Sequence, residues 1–240
     1  MSKFISLIFG LFFLVSSVQA ADCSAQLPNG QQPTYTNRAY LQDTKILCFP
    51  GMTTLTSGQT RTGLWSAELL TPQRIEGTFH MRRHDSFHPE ESIPFAWQAQ
   101  LSDYVHSGFD RGHIAPSGDM PDAQTMHDSF SLANMAPQAP AFNRGRWAQL
   151  EERVRHDAQH QNLYVITGVL FEGHQIQFLK GRVGVPSLYF KMVYSPSEQA
   201  ASVFWSENVN VGQIHQNTLS EFESQHGINF HLPTNRPLSL

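Results

Sequence analysis

Residues 143–160 read NRGRWAQLEERVRHDAQH. Trp147, Leu150, Val154 and Ala158 recur at intervals of three and four, an apolar stripe on a 3.6-residue period, and the remaining positions are largely charged or polar. The pattern predicts an amphipathic helix lying on a core. Asn143, Trp147 and Glu151 are spaced by four, and each such step drifts by only about 40° around a helix axis. Asn143 and Glu151 can therefore share one side of this helix, two turns apart. The competing reading makes Asn143 a helix cap, which asparagine commonly is, and Glu151 a solvated surface acid.

Upstream lies a second stretch with concentrated chemistry. Residues 107–120 read SGFDRGHIAPSGDM, so that Asp110, Arg111 and His113 gather an acid, a guanidinium and an imidazole around Gly112. The options there are a polar turn and a catalytic edge. Downstream, LYVITGVL from Leu163, then IQFL, LYFKMVY and ASVFW are short β-branched and aromatic runs separated by glycine, proline or polar residues, which predicts sheet strands. Near the end, NTLSEFESQHG offers Thr218 as an N-cap with Glu221 three residues on and Gly227 as a stop, the signature of a short helix.

The N-terminus sets the compartment. Lys3, an apolar run from Phe4 to Val15, and a small polar stretch ending at Ala20 form the pattern of a secretory signal peptide over residues 1–20. The run is shorter than the roughly 20 residues a membrane span needs. Cys23 follows Ala21 and Asp22 rather than the residues of a lipid-anchored leader, so the expectation is a secreted or periplasmic protein with no membrane attachment after cleavage. About 220 residues remain, enough for one domain with a full core. Both cysteines, Cys23 and Cys48, survive cleavage and in an oxidising compartment are expected to pair. Residues 21–60, rich in Pro, Gly, Gln and Thr, read as an irregular arm in front of a domain over 61–240. The whole chain carries a formal charge of −4, with Lys+Arg 16 and Asp+Glu 20. Taken alone that opposes electrostatic binding of nucleic acid. The cations are unevenly placed, however: Arg74, Arg82 and Arg83 lie close together, and Arg144, Arg146, Arg153 and Arg155 fall in another short span.

Between the two chemical stretches, residues 130–147 read FSLANMAPQAPAFNRGRW. Taken with DYVHSGFDRGHIAP, the VITG strand and VPSLYFKMV, this segment resembles the DNA/RNA non-specific endonucleases, the sugar-nonspecific ββα-metal nucleases. The resemblance runs from about Leu64 to the C-terminus. It implies an α+β fold with a mostly antiparallel sheet, packed helices and a ββα metal (His-Me finger) unit at the edge of a cleft. It also implies roles. His113 would be the general base, since a neutral imidazole accepts a proton near physiological pH. Asn143 would be the direct ligand of Mg²⁺, with Mn²⁺ as the alternative, and Glu151 would hold a metal-bound water. Arg111 would contact phosphate through its two-pronged guanidinium, with Arg83 in preference to Arg82 as the second arginine of the site and Arg144 as a further substrate contact. Asp110 would shape the turn and orient its neighbours. Asn134 would serve catalysis by positioning His113 or the metal shell, or else brace its own loop.

The implied activity is Mg²⁺-dependent hydrolysis of phosphodiester bonds in DNA and RNA, in an enzyme whose oligomeric state these motifs leave open. The alternatives are a catalytically inactive nucleic-acid-binding relative, against which the intact His113, Arg111, Asn143 and Glu151 argue, and a nuclease of narrower substrate range. A separate histidine metal site at His80, His84 and His88, or at His156 and His160, is disfavoured by the interrupting Asp85 and Ser86 and the closing Pro89.

Overall fold

In a computed structural model, residues 23–36, 41–173 and 175–240 are described; the expected leader over 1–20 lies outside them. Seven strands form the central sheet: β1 (Thr44–Phe49), β2 (Met52–Ser57), β3 (Thr62–Leu70), β6 (Leu163–Leu170), β7 (Leu188–Ser195), β8 (Ala200–Glu207) and β9 (His215–Asn217). Their spatial order is β9-β8-β7-β6-β3-β2-β1, and every neighbouring pair is antiparallel. Two short strands, β4 (Asp110–His113) and β5 (Met135–Gln138), form a separate antiparallel ribbon. Helices α1 (Pro72–Thr78), α2 (Ala123–Ser129), α3 (Ala148–Ala158) and α4 (Leu219–His226) complete the α+β architecture.

Two expectations are corrected. Residues 44–57, read as part of an irregular arm, are β1 and β2 of the central sheet; their threonines are β-branched and fit a pleated surface even without an apolar alternation. The arm is confined to residues before Thr44, and the Cys23–Cys48 disulfide pins its start to β1. IQFL contributes only Phe178–Leu179 to a two-stranded ribbon with Val183–Gly184, outside the central sheet. The other three apolar runs fall on β6, β7 and β8.

The sheet buries both faces. Along β7, Tyr189 meets Trp147 with ring centroids 5.7 Å apart, while Phe190 meets Phe222 of α4 at 5.4 Å. Alternation along a strand sends successive side chains to opposite faces, so α3 covers one side and α4 the other. The predicted stripe packs as read: Trp147, Leu150 and Ala158 are completely buried and Val154 is 2% exposed. Burial of such a stripe, rather than helix propensity, is what holds a helix of this length in place. The ends of α4 follow the sequence too. Thr218 and Glu221 form a reciprocal capping box, and Gly227 ends the helix at φ 64°, a left-handed position that glycine adopts without strain.

Candidate active site

The ribbon β4–β5 and the start of α3 bring the chemistry together. Gly112 makes this packing possible, because a Cβ there would collide with the Gln138 side chain and the Tyr189 hydroxyl. That hydroxyl donates to the Ala136 carbonyl at 2.9 Å, tying the ribbon to β7 of the main sheet.

Asn143 is not a cap. Its backbone is helical (φ −53°, ψ −54°), and its N–H already bonds the Ala139 carbonyl at 2.9 Å. Residues Asn143–Trp147 form a π-turn, with Gly145 departing from helical angles at φ −110°, ψ −106°. In a regular helix the eight residues from Asn143 to Glu151 would overshoot two turns by about 80°. A π-turn takes in one extra residue and removes roughly 100° of that drift. The two side chains therefore align more closely than the plain 3.6 period foretold.

Asp110 fixes this corner. Its Oδ2 accepts from the Asn143 amide nitrogen at 2.9 Å and from Arg144 Nε at 2.8 Å, while Oδ1 accepts from Arg144 Nη2 at 2.6 Å. With its nitrogen committed, Asn143 turns its oxygen away from Asp110, and no described residue donates to that oxygen. His113 closes β4. Its ring sits 5.6 Å from that of Phe87 and 4.8 Å, edge-on, from that of Phe130. Nε2 is shut off from solvent and has no hydrogen-bond partner. Burial, followed by the nearby Arg83 and Arg111 guanidinium groups, pushes the imidazole pKa down to about 3, so the resting ring is neutral. Arg111 lies with Cζ 4.2 Å over the Phe87 ring and its buried Nε unpartnered. Arg83 sits 5.1 Å from the Phe130 ring, bonded to Ser117 Oγ at 3.2 Å and to Asp85 at 2.7 Å.

His113, Asn143, Arg83, Arg111, Asp110, Arg144 and Glu151 all line one cleft of about 570 Å³. Arg82 is not among the lining residues. Asn134 is corrected to a positioning residue. It is completely buried, and all its polar bonds are internal: Oδ1 accepts from Ser66 Oγ (2.7 Å) and the Ala115 N–H (3.0 Å), and Nδ2 donates to the Ala115 and Ser129 carbonyls (2.9 and 2.8 Å). It braces the chain just past His113 and reaches no reacting group.

Below the cleft lies a charged layer in which the sequence reading gave a role to Glu151 alone. Glu151 is pushed up to about 7 by burial, against the pull of the Lys191 ammonium; Asp119 raises it further, while Arg155 and Arg83 lower it. Arg155 pairs with the buried Asp119 at 3.0 Å. Lys191 is 1% exposed, with Nζ 2.5 Å from Thr167 Oγ1 and 5.5 Å from the centre of the Trp147 ring. A lysine in the middle of LYFKMVY was a visible signal: a cation inside a buried strand needs partners. Phe87 and Phe130 carried no such mark.

The donors suit a hard cation. Among the described residues, no group of three or more His, Cys, Asp or Glu side chains is placed to hold a metal, the stacked rings of His88 and His127 at 4.4 Å included. A carboxamide oxygen at Asn143 and a carboxylate at Glu151 offer oxygen only, and few groups, which fits an ion that keeps several waters and takes others from substrate.

The model of the DNA/RNA non-specific endonuclease family matches residues 30–236. The mitochondrial endonuclease G of Homo sapiens is 34% identical over 164 residues, covering 63% of this chain and 52% of that protein. Nuclease C1 of Cunninghamella echinulata var. echinulata is 36% identical over 149 residues, 57% of this chain and 59% of its own length. The chain thus spans a little over half the length of these curated relatives. In structure it is similar to a chain in the crystal structure of the EndoG/EndoGI complex, with a TM-score of 0.67 and 25% identity, covering 79% of this chain and 86% of that one.

Proposed function

The chain belongs to the DNA/RNA non-specific endonuclease family, and from that premise we propose that it is an exported, Mg²⁺-dependent nuclease hydrolysing phosphodiester bonds in DNA and RNA. The observation that carries this reading is the neutral imidazole of His113 lining the same cleft as the free carboxamide oxygen of Asn143.

Asn143 would hold the cation directly and Glu151 through water, with Mn²⁺ as the alternative ion. When bound, such an ion neutralises phosphate charge and stabilises the departing oxygen. The protein's own share begins with His113, whose neutral ring lines the cleft and accepts a proton, at the ring nitrogen open to the cleft, from the water that attacks phosphorus. Its resting basicity is low partly because two guanidinium groups face it. A phosphodiester entering between Arg83 and Arg111 supplies the opposing charge and raises that basicity as substrate binds. Arg111, with an unsatisfied buried Nε, gains a partner in a phosphate oxygen and stabilises the charge that builds on it. Arg144 remains exposed beside Asp110 and can use its outer N–H groups on a neighbouring phosphate. Contacts of this kind read backbone, not bases, which matches cleavage without sequence preference.

Export is supported by the leader pattern before Ala21 and by the Cys23–Cys48 bond. Purified chain should nick plasmid and degrade RNA in millimolar Mg²⁺ and do neither in excess chelator. Undiminished cleavage in chelator would defeat the metal-dependent reading.

A further inference from the structure

One edge of the cleft carries an aromatic ring that the hydrolysis itself does not use. From the end of α1 the chain runs along the cleft as FHMRRHDSF, residues 79–87. Thr78, Met81, Arg83, Asp85 and Phe87 line the cleft. The Met81 N–H bonds the Thr78 carbonyl at 3.0 Å, which closes a four-residue turn with Phe79 and His80 at its tip. Both feet of that turn are cleft residues, and a turn of this kind holds its ends within about 7 Å of each other. Phe79 therefore stands at the cleft edge, and it is 64% exposed.

The ring has a fixed base. In α1, Ile75 is completely buried, Arg74 donates to the Gly51 and Asp119 carbonyls at 2.8 and 2.9 Å, and a Cβ on Gly77 would collide with Pro121. A single exposed apolar side chain is ordinary on a protein surface. This one lies in a cationic segment that continues into the cleft. His80, Arg82 and His84 are exposed, and Arg82 has no hydrogen bond or ion pair with any described residue. Asp85, the only acid in residues 79–87, is paired with Arg83 at 2.7 Å. Aromatic rings interleaved with cations suit a single nucleic-acid strand: the cations follow the backbone, and a base of any identity stacks on the ring. Four residues separate Phe79 from Arg83, at most about 14 Å of chain, so the ring reaches a base close to a phosphate held between Arg83 and Arg111.

Building on the nuclease reading for the path of the strand, we propose that Phe79 is a base-stacking site: it takes the face of an unpaired base close to the scissile phosphate, in DNA or RNA, and gives the enzyme a grip on single strands that a sound duplex does not share. Stacking one base on an aromatic ring is worth about 5- to 150-fold in affinity. Extruding a paired base costs a comparable amount or more, so the ring gains nothing by opening a duplex.

The test measures binding in a His113→Ala background, with Mg²⁺, with and without Phe79→Ala. The probes are a short single-stranded DNA, the corresponding RNA, the DNA duplex, and a strand of the same length built wholly of abasic units. Phe79→Ala should weaken the single-stranded DNA and RNA by about tenfold and leave the abasic strand and the duplex as they were. Phe79→Trp should keep the single-strand affinity, and its fluorescence should be quenched by the base-bearing strand and not by the abasic one, beyond any change seen in chain with Phe79. Equal loss on base-bearing and abasic strands, a larger loss on the duplex, or no loss on any probe overturns the proposal. Failure of the nuclease reading looks different: chain with His113 intact then cuts no nucleic acid, whatever Phe79→Ala does to binding.

Discussion

The two faces of the central sheet are built from different materials. Toward α4, β7 presents Phe190 and Met192, and the ring of Phe190 lies 5.4 Å from that of Phe222 and 5.9 Å from that of Phe230. Toward α3 the same sheet presents Ser66, Glu68, Thr167 and Lys191, each no more than 1% exposed, and these lie under the cleft. Glu68 is raised to about 8 by burial and by Asp119, against its 2.7 Å ion pair with Arg74. A fully apolar layer would cost less to bury. The difference teaches that one face is a core and the other a platform: its charges hold the carboxylates and guanidinium groups of the cleft in place.

Substitutions on the two faces should therefore divide stability from activity. The largest effect is expected at the aromatic anchors. Trp147→Ala and Phe222→Ala each remove a fully buried ring and should each destabilise by about 3–5 kcal/mol in chemical denaturation. Only Trp147→Ala should also depress kcat in the protein that remains folded, because Trp147 closes the π-turn that aims Asn143. Equal kcat losses from both would erase the distinction between core and platform. A smaller pair sharpens it. Lys191→Met removes the buried cation that draws Glu151 down, while Glu68 keeps its ion pair with Arg74, and should cost about 3 kcal/mol, with reduced cleavage. Met192→Leu, one residue along and on the other face, should cost under about 1.5 kcal/mol with normal cleavage.

The same contrast explains what could be read in the chain. The α4 side was legible because its rules are local: a capping box, a terminal glycine and alternating apolar strands appear in the sequence as they appear in space. The stripe of α3 was legible for the same reason, and the resemblance brought His113, Arg111, Asn143 and Glu151 to the page before any coordinates. What escaped depends on distant partners. Strands β1 and β2 were hidden because neither TKILCF, at the sheet edge, nor the threonine-rich MTTLTS beside it shows a strong apolar alternation. The π-turn was hidden because an inserted residue leaves no mark beyond Gly145. The role of Asn134 could not be separated from catalysis, since only the fold reveals that Ser66, Ala115 and Ser129 use up its amide. Lys191 was visible as an oddity, but its neighbours Thr167 and Trp147 come from a different strand and from the start of the helix.

The most direct test of the platform's purpose is a single-turnover rate on plasmid DNA in Mg²⁺ for the unsubstituted chain beside His113→Ala, with both proteins shown to be folded by their melting curves. Removal of the proposed general base should slow cleavage by about 10²–10⁴-fold. A rate unchanged by the substitution would mean that the imidazole facing the cleft takes no proton.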